Sequence, residues 1–132
     1  MKLVTALLLK NEENQYLVAR RSVDQSMAGY WEFPGGKVEP NETIAECLIR
    51  EIREELTLEI IPGDEIVRVD YNYDHGQFQI IGIAATLSVS ATPQLHVHDQ
   101  IRWLKLEDMH QVKLLPADVL LVEEILSNAR YC

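Results

Sequence analysis

Residues Gly36 to Leu58, GKVEPNETIAECLIREIREELTL, constrain this chain more than any other stretch. The turn Phe33-Pro34-Gly35-Gly36 leads into a segment where Ile44, Leu48, Ile52 and Leu56 recur every fourth residue. At about 100° per residue these positions drift over one side of a helical wheel, with Ala45 and Ile49 beside them. The pattern predicts a helix from about Thr43 to Leu56, starting at Asn41 or Glu42 and packed on a core. Glu42, Glu46, Arg50 and Arg53 fall on the opposite side and read as solvated, with Glu46 and Arg50 one turn apart. Glu51, Glu54 and Glu55 break this simple division. Spaced i, i+3 and i+4, they share a face. Glu51 and Glu54 flank the apolar stripe, and Glu55 falls inside it. A carboxylate there is desolvated and costly unless it is paired or bound to metal. Three carboxylates on one face repel one another unless a cation sits among them. The trio is therefore a candidate magnesium site, and magnesium commonly serves phosphate chemistry. A plain solvated acidic helix is the competing reading, and the position of Glu55 opposes it.

The same residues resemble the Nudix hydrolases. That family's motif runs Gly, five residues, Glu, seven residues, Arg-Glu, an aliphatic, any residue, Glu-Glu, any residue, Gly, an aliphatic. Gly36, Glu42, Arg50, Glu51, Ile52, Glu54, Glu55 and Leu58 match it. Thr57 stands where the family has its late glycine, which ends the helix in a left-handed turn that β-branched residues disfavour. The length, the EFPGGK entry and the Pro116-Ala117-Asp118 segment look like the MutT-type branch.

The resemblance implies an α+β fold, an α/β/α sandwich around a mixed β-sheet. It implies hydrolysis of nucleoside triphosphates to monophosphate and pyrophosphate with Mg2+, or Mn2+ in its place. By the same resemblance Glu51, Glu54, Glu55 and the Gly35 carbonyl hold the metal. Arg50 orients the glutamates, Glu51 is the general base, Arg21 contacts phosphate, and Phe33 packs on the nucleobase. Asp118 reads the base, and its surrounding segment is similar to enzymes acting on cytidine nucleotides and modified cytosines. Lys37, directly after the turn, can meet a phosphate as a point charge. Each residue has a plainer reading. Arg50 can form a surface pair with Glu46 or Glu54. Arg21 and Lys37 can be solvated, Phe33 can be core, and Asp118 can be a helix-start acid favoured by the dipole. Oxidised purine triphosphates, or nucleoside diphosphates linked to another group, are alternative substrates. A nucleotide-binding module with weak catalysis is the alternative class.

Many members of the family carry a further metal-binding Glu before the strand that holds Trp103. Here the stretch reads His96-Val97-His98-Asp99, and Val97 takes that slot. Asp99 is the nearest carboxylate. It can substitute from a shifted backbone. His96 and His98 alternate along an extended segment and can face the site together as metal ligands, but magnesium prefers oxygen, so the surface reading of the histidines is favoured.

The rest of the chain predicts strands at Leu3–Leu9, Tyr16–Arg20, Trp31–Phe33, Ile66–Tyr73, Phe78–Val89 and Ile101–Leu106. Turns are expected at Pro62-Gly63-Asp64 and Asp74-His75-Gly76, and a second helix at Pro116–Ala129 with proline in its first turn. At 132 residues and 47% hydrophobic content, residues 1–132 read as one domain with a real core. A net charge of −9 argues against binding duplex nucleic acid. It leaves a nucleotide substrate open, because a cation can mask phosphate charge. Cys47 and Cys132 form no disulfide framework and no metal-binding spacing, which suggests a cytoplasmic protein with reduced thiols. Leu3–Leu9 reads as a strand, since Lys10 and an acidic turn follow with no small-residue cleavage site. No segment approaches a membrane span. A monomer or homodimer is expected.

Overall fold

β1 sets the architecture because both of its faces are buried. In the computed structural model, which describes residues 1–128, β1 spans Lys2–Leu9. Ala6 and Leu8 join one hydrophobic cluster, and Leu7 and Leu9 join another. The remaining elements are β2 (Tyr16–Arg21), β3 (Trp31–Glu32), α1 (Ile44–Leu56), β4 (Ile60–Tyr73), β5 (Gly76–Leu87), β6 (His98–Leu104), a 3₁₀ turn (Leu106–Gln111) and α2 (Pro116–Ser127). β1 pairs in parallel with β5, which pairs antiparallel with β4, so this sheet is mixed. β2 lies between β3 and β6 in a second, antiparallel sheet.

The two clusters are the two sides of the mixed sheet. Leu48, Ile52 and Leu56 of α1 pack with Ile81 and Ile83 of β5. Ala117, Leu121, Val122 and Ile125 of α2 pack with Phe78 and Ile80 of the same strand. Helices on both sides of a mixed sheet give the expected α+β, α/β/α layering.

The start of α1 differs from expectation. Its N-cap is Thr43, whose hydroxyl accepts from the Glu46 N–H at 3.1 Å while the Glu46 carboxylate accepts from the Thr43 N–H at 2.8 Å. This is a complete capping box. Asn41 belongs to the preceding turn, at φ 66°. Ala45, placed beside the apolar stripe on the wheel, is exposed. The expected turn at Pro62-Gly63-Asp64 also fails. These residues lie inside β4, where the register against β5 shifts between Pro62 and Glu65 and again between Glu65 and Val67. A strand absorbs proline and glycine at such bulges, so turn chemistry there bends the strand without ending it. The 3₁₀ turn was not foreseen. Of the expected second helix, Ala129 lies outside the described residues, as does Cys132.

α1 ends without glycine. Thr57 adopts the left-handed conformation at φ 55° and ψ 43°, and its N–H donates to Arg53 O at 3.1 Å. Residues 94–96 complete the helix end: the Gln94 N–H donates to Leu56 O at 2.8 Å and the His96 N–H to Glu55 O at 3.3 Å. The Thr57 hydroxyl lies 2.7 Å from His96 Nε2. Carbonyls that a helix leaves unpaired are thus satisfied by the segment leading into β6.

Candidate active site

The glycine turn is stitched to β1. Thr5 N–H donates to Gly36 O and Leu7 N–H to Pro34 O, both at 2.8 Å. A Cβ at Gly35 would collide with the Thr5 carbonyl, and one at Gly36 would collide with the Glu51 carboxylate. Glycine at both positions therefore lets the turn lie between β1 and α1 with Glu51 directly over it.

Arg50 is the hub of the acidic face. Its Nε and Nη2 donate to the two Glu42 carboxylate oxygens at 2.6 and 3.0 Å. Nη1 donates to Glu51 at 2.9 Å and to Glu54 at 3.1 Å, and Nη2 reaches the Lys37 carbonyl at 3.2 Å. Hydrogen bonds from the Arg50 guanidinium, then from the Glu39 N–H, pull the Glu42 carboxyl down to about 2. The expected solvated face holds at Glu46, which completes the capping box, and at Arg53, which pairs with Glu59; it is corrected at Glu42 and Arg50, which are half-buried against each other. A planar fork suits this task, since it can hold several carboxylates at once.

Glu54 is exposed, with 58% of its side chain accessible, whereas Glu55 is half-buried with its Oε1 sealed from solvent. Burial pushes the Glu55 carboxyl up to about 10, with Glu51 and Glu32 adding to the shift and the Gly35 N–H opposing it. Its Oε1 has no hydrogen-bond partner among the described residues.

Glu32 was missed by the sequence reading, although it lies within the EFPGGK entry itself. It accepts from Arg21 Nη1 at 3.1 Å and lies 2.7 Å from His98 Nε2. Arg21 is further tied to Ser26, through the backbone carbonyl and the hydroxyl. His98 is buried, not a surface residue, because the strand register sets it opposite Arg21 beside a bulge. His96 and His98 do not converge, since His96 is bound to Thr57. Asp99 pairs with Arg20 at 2.7 Å.

A cleft of about 550 Å³ opens beside the turn. Gly35, Gly36 and Lys37 line it, as do Arg21, Glu32, Phe33 and Asp118. Tyr73, His75 and Phe78 from the β4–β5 hairpin add an aromatic wall, with Tyr73 stacked on His75 at 5.4 Å and edge-on to Phe78 at 5.0 Å. The sequence reading gave these rings no role. Lys37 is exposed, with Nζ 5.4 Å from the Phe78 ring centroid. The Phe33 ring is only 3% exposed and belongs to the core cluster as well as to the cleft wall. Asp118 is buried, and burial pushes its carboxyl up to about 8, reinforced by the Glu32 charge.

The NUDIX domain family matches residues 2–124. The chain belongs to the Nudix family. The CTP pyrophosphohydrolase of Escherichia coli is 33% identical over 127 residues, which cover 96% of this chain and 92% of that protein. An 8-oxo-dGTP diphosphatase of Proteus vulgaris is 39% identical over 57 residues, 43% of this chain and 51% of that protein. The solution structure of the E. coli ORF135 protein superposes with a TM-score of 0.81 at 32% identity, covering 96% of this chain and 89% of that one.

As a Nudix hydrolase, the chain calls for a divalent cation, and its residues fit one. Glu55 Oε1 is buried and unpartnered, beside two further carboxylates. Burying that arrangement without counter-charge is unfavourable. The donors on this face are oxygens, as a hard cation requires. Among the described residues no helix is long and apolar enough to cross a membrane.

Proposed function

We propose that this Nudix hydrolase, acting as one domain over residues 1–132 in the cytoplasm, splits nucleoside triphosphates into monophosphate and pyrophosphate, with cytidine nucleotides and 5-substituted cytosines preferred. One observation carries the reading. A single cleft is lined by the glycine turn, which abuts the glutamate face, and by Asp118. A nucleotide can span such a cleft with its phosphates near the turn and its base near Asp118.

Glu51, Glu54 and Glu55, with the Gly35 carbonyl, would hold magnesium, which when bound neutralises phosphate charge and makes water more acidic. Glu51 takes the proton of the attacking water at a carboxylate oxygen. Arg50 fixes Glu51 and Glu54 in place. Lys37 and Arg21 offer positive charge to the phosphates. The carboxylate form of Asp118 accepts from the exocyclic amine of cytosine. The aromatic wall supplies ring faces for the base.

A second reading is favoured by the raised Asp118 pKa. A protonated Asp118 is a donor, suited to a purine carbonyl, and a relative is an 8-oxo-dGTP diphosphatase. The test is kcat/KM for CTP, dCTP, 5-substituted dCTP and 8-oxo-dGTP with magnesium. Cytosine nucleotides should lead. A preference for 8-oxo-dGTP over every cytosine nucleotide would select the second reading.

A further inference from the structure

His98 of β6, Glu32 of β3 and Arg21 of β2 form a chain of contacts that ends in the cleft. Their meeting follows from strand register. Ala19 lies opposite Glu32, so Arg21, two residues on, shares the face of Glu32 as its diagonal neighbour. On the other side the pairing skips Asp99 at a bulge, which sets His98 opposite Arg21 and leaves Asp99 to Arg20. His98 Nε2 lies 2.7 Å from one Glu32 oxygen, and Arg21 Nη1 donates to the other at 3.1 Å. Arg21 Nε donates to the Ser26 carbonyl, and Nη2 to the Ser26 hydroxyl at 3.1 Å. A guanidinium has further N–H groups, and one on each Nη is without a partner among the described residues. Arg21, Ser26 and Glu32 line the cleft, whereas the His98 side chain has no accessible surface. A proton on His98 Nδ1 would be a buried donor with no acceptor, since that nitrogen has no partner among the described residues. The geometry therefore places the ring proton on Nε2, which donates it to Glu32.

We propose that His98 and Glu32 are positioning residues: His98 orients the Glu32 carboxylate, which with Ser26 holds the Arg21 guanidinium so that its remaining N–H groups meet the phosphate chain of the substrate. The proposal rests on the reading of the cleft as a triphosphate site. Arginine recognises phosphate through a planar fork, so its orientation matters as much as its charge. A long side chain left free would have to be ordered by the substrate itself, which weakens binding. Held through Nε, Nη1 and Nη2, Arg21 is ordered beforehand. An ion pair away from water adds little net stability over apolar packing, so stability alone does not account for a sealed imidazole directed at Glu32. His98 touches no substrate and acts only through Glu32.

The probe is α,β-methylene cytidine triphosphate, whose bridge resists cleavage, titrated with magnesium into wild type and variants by calorimetry. Arg21→Ala should weaken binding roughly tenfold or more, and His98→Leu nearly as much. His98→Gln keeps an N–H donor for Glu32 and should restore affinity to within about threefold of wild type. Adding His98→Leu to Arg21→Ala should weaken binding little further, because a residue that acts through Arg21 then has nothing to position. A full additional loss in the double variant, or wild-type affinity in a folded His98→Leu protein, would overturn the proposal. If His98→Leu does not fold, Glu32→Gln completes the same cycle, since it keeps the volume and an acceptor but loses the charge. Losses that add independently there would equally overturn it. Wild type that binds the analogue without such coupling leaves the triphosphate reading standing and removes the proposal. Wild type that does not bind the analogue removes both.

Discussion

The backbone N–H of Phe33 donates to Asp118 Oδ2 at 2.9 Å, joining the entry of the glycine turn to the first turn of α2. Trp31 reinforces the join, donating to Lys113 O at 2.8 Å and accepting from the Leu115 N–H at 2.9 Å. Asp118 is thus not a solvated helix-start acid. It sits in the cleft wall with one oxygen committed to the Phe33 amide.

That burial has a consequence for stability. Asp118 has an ordinary pKa of 3.8 and is raised to about 8 in the fold. Below about pH 4 the group is protonated in both states and its burial carries no charge penalty. As pH rises toward 8 the unfolded chain ionises first, so the stability present in acid is lost progressively. Asp118→Asn keeps an acceptor for the Phe33 N–H but cannot ionise. In metal-free buffer the variant should melt above wild type near pH 8, with the difference vanishing near pH 4. A difference independent of pH would contradict the assignment.

Asp118→Ala tests recognition. Losing a hydrogen bond to a buried polar group costs roughly 1–3 kcal/mol, so kcat/KM for CTP or dCTP should fall about ten- to a hundredfold. Nucleotides held mainly through phosphate should lose less. Equal losses for all bases would point to a folding defect.

Glu54→Gln and Glu55→Gln should each lower kcat by roughly 10²-fold or more at saturating magnesium, because metal-borne charge stabilisation is worth several kcal/mol. Near-wild-type turnover in both would mean that this acidic face is not the metal site.

Arg50→Lys preserves charge but not the fork that binds Glu42, Glu51 and Glu54 together. We expect kcat to drop about tenfold or more, with a raised magnesium requirement, since an ammonium cannot hold three carboxylates in one plane. Retained activity at wild-type magnesium concentration would make Arg50 a surface pair.

Thr57→Gly should leave kcat nearly unchanged, because the glutamates precede it. Relief of the left-handed backbone, roughly 1 kcal/mol, is offset by the lost hydroxyl contact to His96 and by a more flexible unfolded chain. Calorimetry should show a melting shift of only a few degrees. A large gain in turnover would show that Thr57 distorts the glutamates.

What was legible in the sequence follows from what sequence encodes locally. The stripe of Leu48, Ile52 and Leu56, with Glu55 intruding upon it, depends only on helical period, and the structure reproduces it. The reach of Arg50 to Glu42 was not legible, because it depends on the turn folding back over the helix. The meeting of Glu32 with His98 escaped for a related reason: it is set by β2 pairing with β3 on one side and β6 on the other. The Pro62-Gly63 bulge misled because the same residues serve turns and bent strands.

The central claim is the reaction itself, and product identity tests it most directly. Incubation of the wild-type protein with CTP and magnesium, resolved by ³¹P NMR, should yield CMP and pyrophosphate in equal amounts. Release of CDP with orthophosphate, or no turnover of any triphosphate with magnesium, would contradict the account.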